Sequence, residues 1–291
     1  MPLAARTVPI AASFNQESLA EMGSVSTTPE PVLAGSAGFS DEEVRSFEEN
    51  GFVIVRGLGS DEFCTRMTQV TREHLDREIL PVEYEAEVNY PGAPATLDSP
   101  GGRTIRRLKQ AHSRDIVFTE WVCAPELAGR LSLLLGPEVV MPLAHHNCVM
   151  TKQPTHSSET GWHQDIRYWS FQRPDLVSVW LALGNEYPKN GCLWVVPGSH
   201  RMEFDRQQFD DALFFRKDEP RNQPVLETAI SVELQRGDVL FFHCRTLHFA
   251  SRNENAETKY SVVFTFRSAD NPPLPGSRSE NGGELLLPRA E

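Results

Sequence analysis

Three side chains of this 291-residue chain have the types and spacing to hold a metal ion. His163 and Asp165 stand two positions apart in Gly161-Trp162-His163-Gln164-Asp165, and His248 follows far downstream in Leu247-His248-Phe249-Ala250-Ser251. Two imidazoles and one carboxylate are the ligand set that leaves open coordination positions on non-haem iron(II). The spacing has a mechanical reason. Residues i and i+2 of a β-strand point to the same side, so one strand can present His163 and Asp165 to a single ion. The third ligand must then arrive from another strand, and His248 lies just past Gly237-Asp238-Val239-Leu240-Phe241-Phe242-His243, which reads as a turn followed by a buried strand.

The elements that would position these residues can be read in chain order. Residues 1–38, rich in Ala, Ser, Thr and Pro, show no sustained apolar periodicity and are expected to form a flexible tail. Ser40-Asp41-Glu42-Glu43 is a capping box, and it predicts a short helix ending near Asn50-Gly51. A strand at Phe52 to Val55 and a helix from Asp61 to about Glu78 follow. The stretch from Leu80 to Gly102 holds four prolines and reads as a long loop. Two more helices are expected, at Ile116 to Cys123 and Pro125 to Leu135. Val139 to Lys152 then reads as the first long core strand, with His146, Cys148, Met150 and Lys152 on one face and His145, Asn147, Val149 and Thr151 on the other. Residues 271–291, rich in Pro and Gly, are expected to be a second flexible tail, which leaves 39–270 as one catalytic domain.

Four segments give the chain a family resemblance. They are Asn50-Gly51-Phe52-Val53-Ile54-Val55, Trp162-His163-Gln164-Asp165, Asn190-Gly191-Cys192-Leu193-Trp194-Val195-Val196-Pro197-Gly198-Ser199-His200, and Gly237-Asp238 through His248. In this order and at these intervals the chain, from about Phe39 to Arg267, resembles the phytanoyl-CoA dioxygenase family. The resemblance implies a mainly β fold with flanking helices, a double-stranded β-helix (jelly-roll, cupin-like) barrel. It implies an enzyme that uses Fe(II), 2-oxoglutarate as cosubstrate, and O2, with His163, Asp165 and His248 as metal ligands. The small-residue turn after His248 is what the family shows after its distal ligand, and this favours His248 over the rival His243. Halogenating relatives lack the carboxylate, so the presence of Asp165 points to hydroxylation of an unactivated C–H bond, with release of succinate and CO2. Trp180 and Met150 fall where the resemblance brings side chains close to the cosubstrate.

One position departs from the pattern. The family places an arginine eleven residues after the distal histidine and a small residue two further on, to hold the far carboxylate of 2-oxoglutarate; this chain has Lys259-Tyr260-Ser261 there. Lysine keeps the charge and loses the planar fork that grips a carboxylate at two points. Lys259 and Ser261 take that role by register, with Arg252 and Arg267 as alternates. His200, in its Pro-Gly-Ser-His turn, reads as fixing a loop. Arg103, Arg106, Arg107 and Lys109 could meet an anionic group or form a solvated face, and Arg167, Tyr168, Trp169 and Phe171 could wall a substrate site.

Bulk composition agrees with a soluble metabolic enzyme. With 40% hydrophobic and 23% charged residues the chain can bury a large core. A net charge of −12 argues against nucleic acid or an anionic membrane as partner, and the family resemblance implies a small-molecule substrate. Five dispersed cysteines without a Cys-x-x-Cys pair fit reduced thiols in a cytoplasmic protein, and no signal peptide or membrane span is visible. The sequence leaves the substrate and the oligomeric state open. Two other functions would share such a barrel: a metal-dependent isomerase or hydrolase using the ion as a Lewis acid, and a binding protein without turnover.

Overall fold

The structure is a computed structural model and describes residues 38–88 and 90–289, so the expected N-terminal tail lies outside the described residues except for Gly38. Helix α1 (Asp41–Asn50) begins at the predicted capping box: the Ser40 hydroxyl accepts from the Glu43 amide at 3.2 Å, and the Glu43 carboxylate accepts from the Ser40 amide at 2.7 Å. It ends at Gly51, whose φ of +81° is the left-handed conformation that favours glycine at a helix C-terminus. Strand β1 (Phe52–Val55) and helix α2 (Asp61–Asp76) follow, then β2 (Val82–Tyr84) and β3 (Ile105–Lys109). Helices α3 (Ile116–Val122) and α4 (Pro125–Leu135) precede the β-rich half. That half contains β4 (Val139–Pro142), β5 (Asn147–Lys152), β6 (Thr160–His163), β7 (Leu176–Ala182), β8 (Leu193–Val195), β9 (Ile230–Ser231), β10 (Val239–His243), β11 (His248–Ala250), β12 (Lys259–Ser268) and β13 (Glu284–Leu286).

Two antiparallel sheets result. The larger runs β1-β10-β7-β12-β5-β3-β2, with β4 joined to β12 and β13 to β4; the smaller runs β6-β11-β8-β9. Period-two alternation explains how they stack. Along β12, Val262, Phe264 and Phe266 enter one apolar cluster with Phe47, Met67, Phe118, Trp121 and Leu127 of the helices. Val263 faces the other way, into a second cluster that joins Cys148, Trp180 and Leu240 of the large sheet to Leu193, Val195 and Ala250 of the small one. The large sheet is thus covered by helices on one side and by the small sheet on the other. This is the jelly-roll arrangement of a double-stranded β-helix, with the sheets facing each other across a shared interior.

Three expectations are corrected. The stretch from Leu80 to Gly102 is not loop throughout, because β2 lies within it and pairs with β3. Val139 to Lys152 is not one strand: β4 stops at Pro142, which has no N–H to continue a ladder, and the chain turns through 143–146 before β5 pairs with a different stretch of β12. The segment 271–291 is not a free tail over its described part. Strand β13 pairs with β4, Leu287 is buried, and the Ser279 hydroxyl meets His145 Nε2 at 2.9 Å and accepts from the Ser170 amide at 2.8 Å. Glu284 grips the buried Arg267 guanidinium through both of its oxygens. Three strand residues among Gly, Ser and Pro leave no readable alternation. Deleting residues 277–291 is therefore expected to lower the melting temperature by about 5 °C or more, since it uncovers β4 and leaves Arg267 without its partner. An unchanged melting temperature would show that the segment only rests on the surface.

Candidate metal centre

His163 ends β6 and His248 opens β11, and the two are directly opposite each other in the antiparallel ladder. Their ring centroids are 4.1 Å apart. Asp165 has left the strand and begins a 3-10 turn, Asp165–Tyr168, while Gln164 remains extended at φ −109° and ψ 135°. The i, i+2 relation therefore survives past the end of the strand. Asp165 Oδ1 lies 3.7 Å from His163 Nε2 and 3.6 Å from His248 Nε2, and one ligand atom from each of the three residues falls within 4.8 Å of the others. All three side chains are buried.

Hydrogen bonds fix which imidazole nitrogen faces the centre. His163 Nδ1 donates to the Gly161 carbonyl at 2.8 Å and His248 Nδ1 to the Thr246 carbonyl at 3.0 Å. A carbonyl only accepts, so each proton sits on Nδ1 and each Nε2 lone pair is directed to the space beside Asp165. Burial holds the His163 imidazole well below its usual pKa, and His248 and Arg167 push in the same direction, which favours the neutral ring. The large sheet steadies the carboxylate, with the Ser178 hydroxyl donating to Asp165 Oδ2 at 3.2 Å and lying 3.3 Å from the Thr265 hydroxyl. This set of two imidazoles and one carboxylate, enclosed and pre-oriented, fits a divalent iron ion.

The other motifs converge behind His248. The Ser199 hydroxyl accepts from the Leu247 amide at 2.8 Å, and the Val196 amide donates to the Leu247 carbonyl at 2.9 Å. The Thr246 hydroxyl donates to the Gly51 carbonyl at 2.8 Å. A β-carbon on Gly51 would stand 2.4 Å from His200 Nδ1 and 2.7 Å from Thr246 Oγ1, so the glycine is required by contact as well as by conformation. His200 Nε2 donates to the Glu48 carbonyl near the α1 terminus at 3.1 Å, in keeping with a loop-fixing residue. The carbonyl there makes it a donor.

The remaining site residues divide clearly. His243 is turned away, accepting from the Arg245 amide at 3.1 Å and lying 3.7 Å from Asp175. The basic run splits: Arg106 is buried against Glu85, Ser158 and Thr160, Arg103 is exposed beside Glu78, and Arg107 donates to Met150 Sδ at 3.2 Å and pairs with Glu83. Arg252 is bonded to the Ser157 and Thr155 carbonyls, and Arg267 to Glu284. His146 brings Nδ1 to 3.5 Å from Asp165 Oδ2 and packs edge-on against Trp169. Arg167 stacks between the rings of Tyr168 and Phe214, and Phe214 lies 5.9 Å from the His163 ring. The turn that carries Asp165 thus puts a cation and aromatic rings beside the centre.

Lys259, Ser261 and Trp180 do come together, yet around a residue that sequence reasoning missed. Glu186 Oε2 accepts from Lys259 Nζ at 2.9 Å, while Oε1 accepts from the Ser261 hydroxyl at 2.6 Å and from Trp180 Nε1 at 2.9 Å. A lone glutamate in Leu183-Gly184-Asn185-Glu186 carries no periodicity that marks it as buried. Its only available signal was the lysine standing where the family has arginine. Met150 is one place across the ladder from Ser261, on the same row as Arg107.

The family profile described as phytanoyl-CoA dioxygenase matches residues 47–260. The chain belongs to the phytanoyl-CoA dioxygenase family. It is an iron(II)- and 2-oxoglutarate-dependent dioxygenase that consumes O2. Among its relatives are the peroxisomal phytanoyl-CoA dioxygenase of Mus musculus, 24% identical over 86% of this chain and 75% of that one, and the ectoine dioxygenase of Bordetella parapertussis, 27% identical over 83% and 81%. Similar solved folds include EctD from S. alaskensis with 2-oxoglutarate and 5-hydroxyectoine, at a TM-score of 0.68, 20% identity and 90% coverage of both chains. The carbocyclase SnoK from nogalamycin biosynthesis has a TM-score of 0.67 at 20% identity, covering 89% of this chain and 100% of that one.

The support of His248 by Gly51 can be tested against an internal control. Gly51→Ala and Gly57→Ala both place a β-carbon at positive φ, +81° and +63°, but only Gly51 meets neighbouring atoms. Each should cost about 1–2 kcal/mol for conformation, and Gly51→Ala should in addition weaken iron affinity by about tenfold through the displaced Thr246 carbonyl. Equal iron affinities in the two variants would remove the Gly51 contact from the account.

Proposed function

We propose that His163, Asp165 and His248 hold iron(II) and that the enzyme hydroxylates an unactivated C–H bond of a small-molecule metabolite. The observation that carries this reading is the buried convergence of two Nδ1-anchored imidazoles on one carboxylate. Iron(II) with 2-oxoglutarate and O2 supplies the oxidising power, the cosubstrate leaving as succinate and CO2. The chain's own residues orient and enclose. Ser178 fixes the rotation of the Asp165 carboxylate, Phe242 and Phe214 pack against the two imidazoles, and Trp169 closes over His146. Such walls exclude water, which would otherwise compete at an open metal position. Asp165 fills the place that halogenating relatives leave to chloride, and this favours hydroxylation.

The partner in this reading is small. A net charge of −12 disfavours nucleic acid, and no helix among the described residues is long and apolar enough to cross a membrane. All five cysteines are free, which supports a reducing, cytoplasmic setting. His146 and Arg167 lie beside the centre, and His146 Nδ1 and Arg167 Nε and Nη2, which have no hydrogen-bond partner among the described residues, offer donors to a polar substrate.

Replacing His163, Asp165 or His248 by Ala should reduce iron affinity by more than about a hundredfold, beyond the loss typical of an outer partner, with an unchanged far-ultraviolet circular dichroism spectrum. His243→Ala should bind iron like the parent. Succinate formation by Asp165→Ala at the parent rate, or loss of iron from His243→Ala instead of His248→Ala, would overturn the assignment.

A further inference from the structure

Lys259 and Ser261 are the donors that register assigns to the far carboxylate of the cosubstrate, and Trp180 falls close to the cosubstrate by the same resemblance; all three are already bound to one carboxylate of the chain itself. Glu186 takes the ammonium, the hydroxyl and the indole N–H at 2.9, 2.6 and 2.9 Å. The pair is fully enclosed, with side-chain exposures of 3% for Lys259 and 0% for Glu186. Nor is Glu186 a loose side chain that swung in. Its backbone is held to Leu234 by two hydrogen bonds, N–H to carbonyl in both directions, at 2.8 and 3.0 Å.

A second carboxylate reaching the same donors would sit against Glu186 in a water-poor interior, where like charges repel far more than in solvent. Neighbouring cations do not relieve this. Lys152, directly across the ladder from Lys259, donates to the Ser158, Ala250 and Ser251 carbonyls. Arg252 and Arg267 are bonded elsewhere.

We propose that Glu186 is a built-in occupant of the distal-carboxylate anchor, so that this enzyme selects its 2-oxo acid with little regard to a far carboxylate. The proposal rests on the reading of the chain as a 2-oxo-acid-dependent enzyme and concerns only how that acid is held. Replacement of the usual arginine by Lys259 then has a partner change: the shorter cation and the internal glutamate form one neutral unit, and the cosubstrate is retained by its metal-binding end. Glu186 becomes the residue that sets cosubstrate selectivity.

The test uses the full chain loaded anaerobically with iron(II) and measures dissociation constants by calorimetry for 2-oxoglutarate and for 2-oxopentanoate, which carries a methyl group in place of the far carboxylate. The parent should bind the two within about tenfold of each other, where an enzyme with a free buried cation would separate them by a hundredfold or more. Glu186→Gln keeps the shape and the acceptor for Trp180 and Ser261 but removes the charge. It should tighten 2-oxoglutarate by about tenfold or more and leave 2-oxopentanoate unchanged, because Lys259 is then free to pair with the ligand. A parent preference for 2-oxoglutarate of a hundredfold or more would overturn the proposal and direct attention to Arg107 as the anchor. Weaker 2-oxoglutarate binding by a folded Glu186→Gln would likewise overturn it, making Glu186 a residue that orients Lys259. Failure of both acids to bind the iron-loaded parent would instead remove the 2-oxo-acid reading itself, and this proposal with it.

Discussion

The site depends on one cross-strand pair. Because β6 and β11 are neighbours in the small sheet and His163 stands opposite His248, two imidazoles 85 residues apart in sequence are held at ring contact. A slip of one residue in that register would turn either ring to the other face of the sheet. The carboxylate then needs only local geometry, an extended Gln164 and a tight turn, to reach the same point. The constraint is one of backbone pairing, which fixes both rings at once.

The rest of the fold protects that register. Helix α1 ends at Gly51, whose carbonyl accepts from Thr246; the Ser199 turn holds Leu247; and Thr246 holds His248. Two motifs far apart in sequence thus act on the short loop of a third. From the other side the large sheet offers alternate residues to the interior, with Ser178 and Thr265 beside Asp165 and Trp180, Ser261 and Lys259 further along. Helices on the opposite face bury Val262, Phe264 and Phe266 and so fix which set points inward.

Much of this was legible in the sequence, for physical reasons that differ by element. Capping signals placed α1, and periodicity with a proline start placed α4, because helix ends are set by local hydrogen bonds. His163 and Asp165 were readable through spacing, and His248 through its position after a buried strand. The break between β4 and β5 was hidden, since Leu143 and Ala144 carry the apolar run past the end of β4 and Pro142 is the main sign of a stop. Strand β13 is too short to show alternation. Glu186 was invisible because a buried ion pair is a property of two loops and strands meeting in space: nothing in the residues around it distinguishes a glutamate facing solvent from one facing Lys259.

Isolated charges are costly to bury, so the Lys259–Glu186 pair and the metal centre are coupled problems of charge in one interior. The centre itself is the claim on which the remainder stands. X-ray absorption fine structure of the anaerobic iron(II) protein tests it most directly. The account predicts a shell of nitrogen and oxygen donors with the outer-shell scattering of two imidazoles and no sulfur. A fit requiring three imidazoles, which would bring in His146, or a sulfur donor from Cys148 or Cys244, would contradict it.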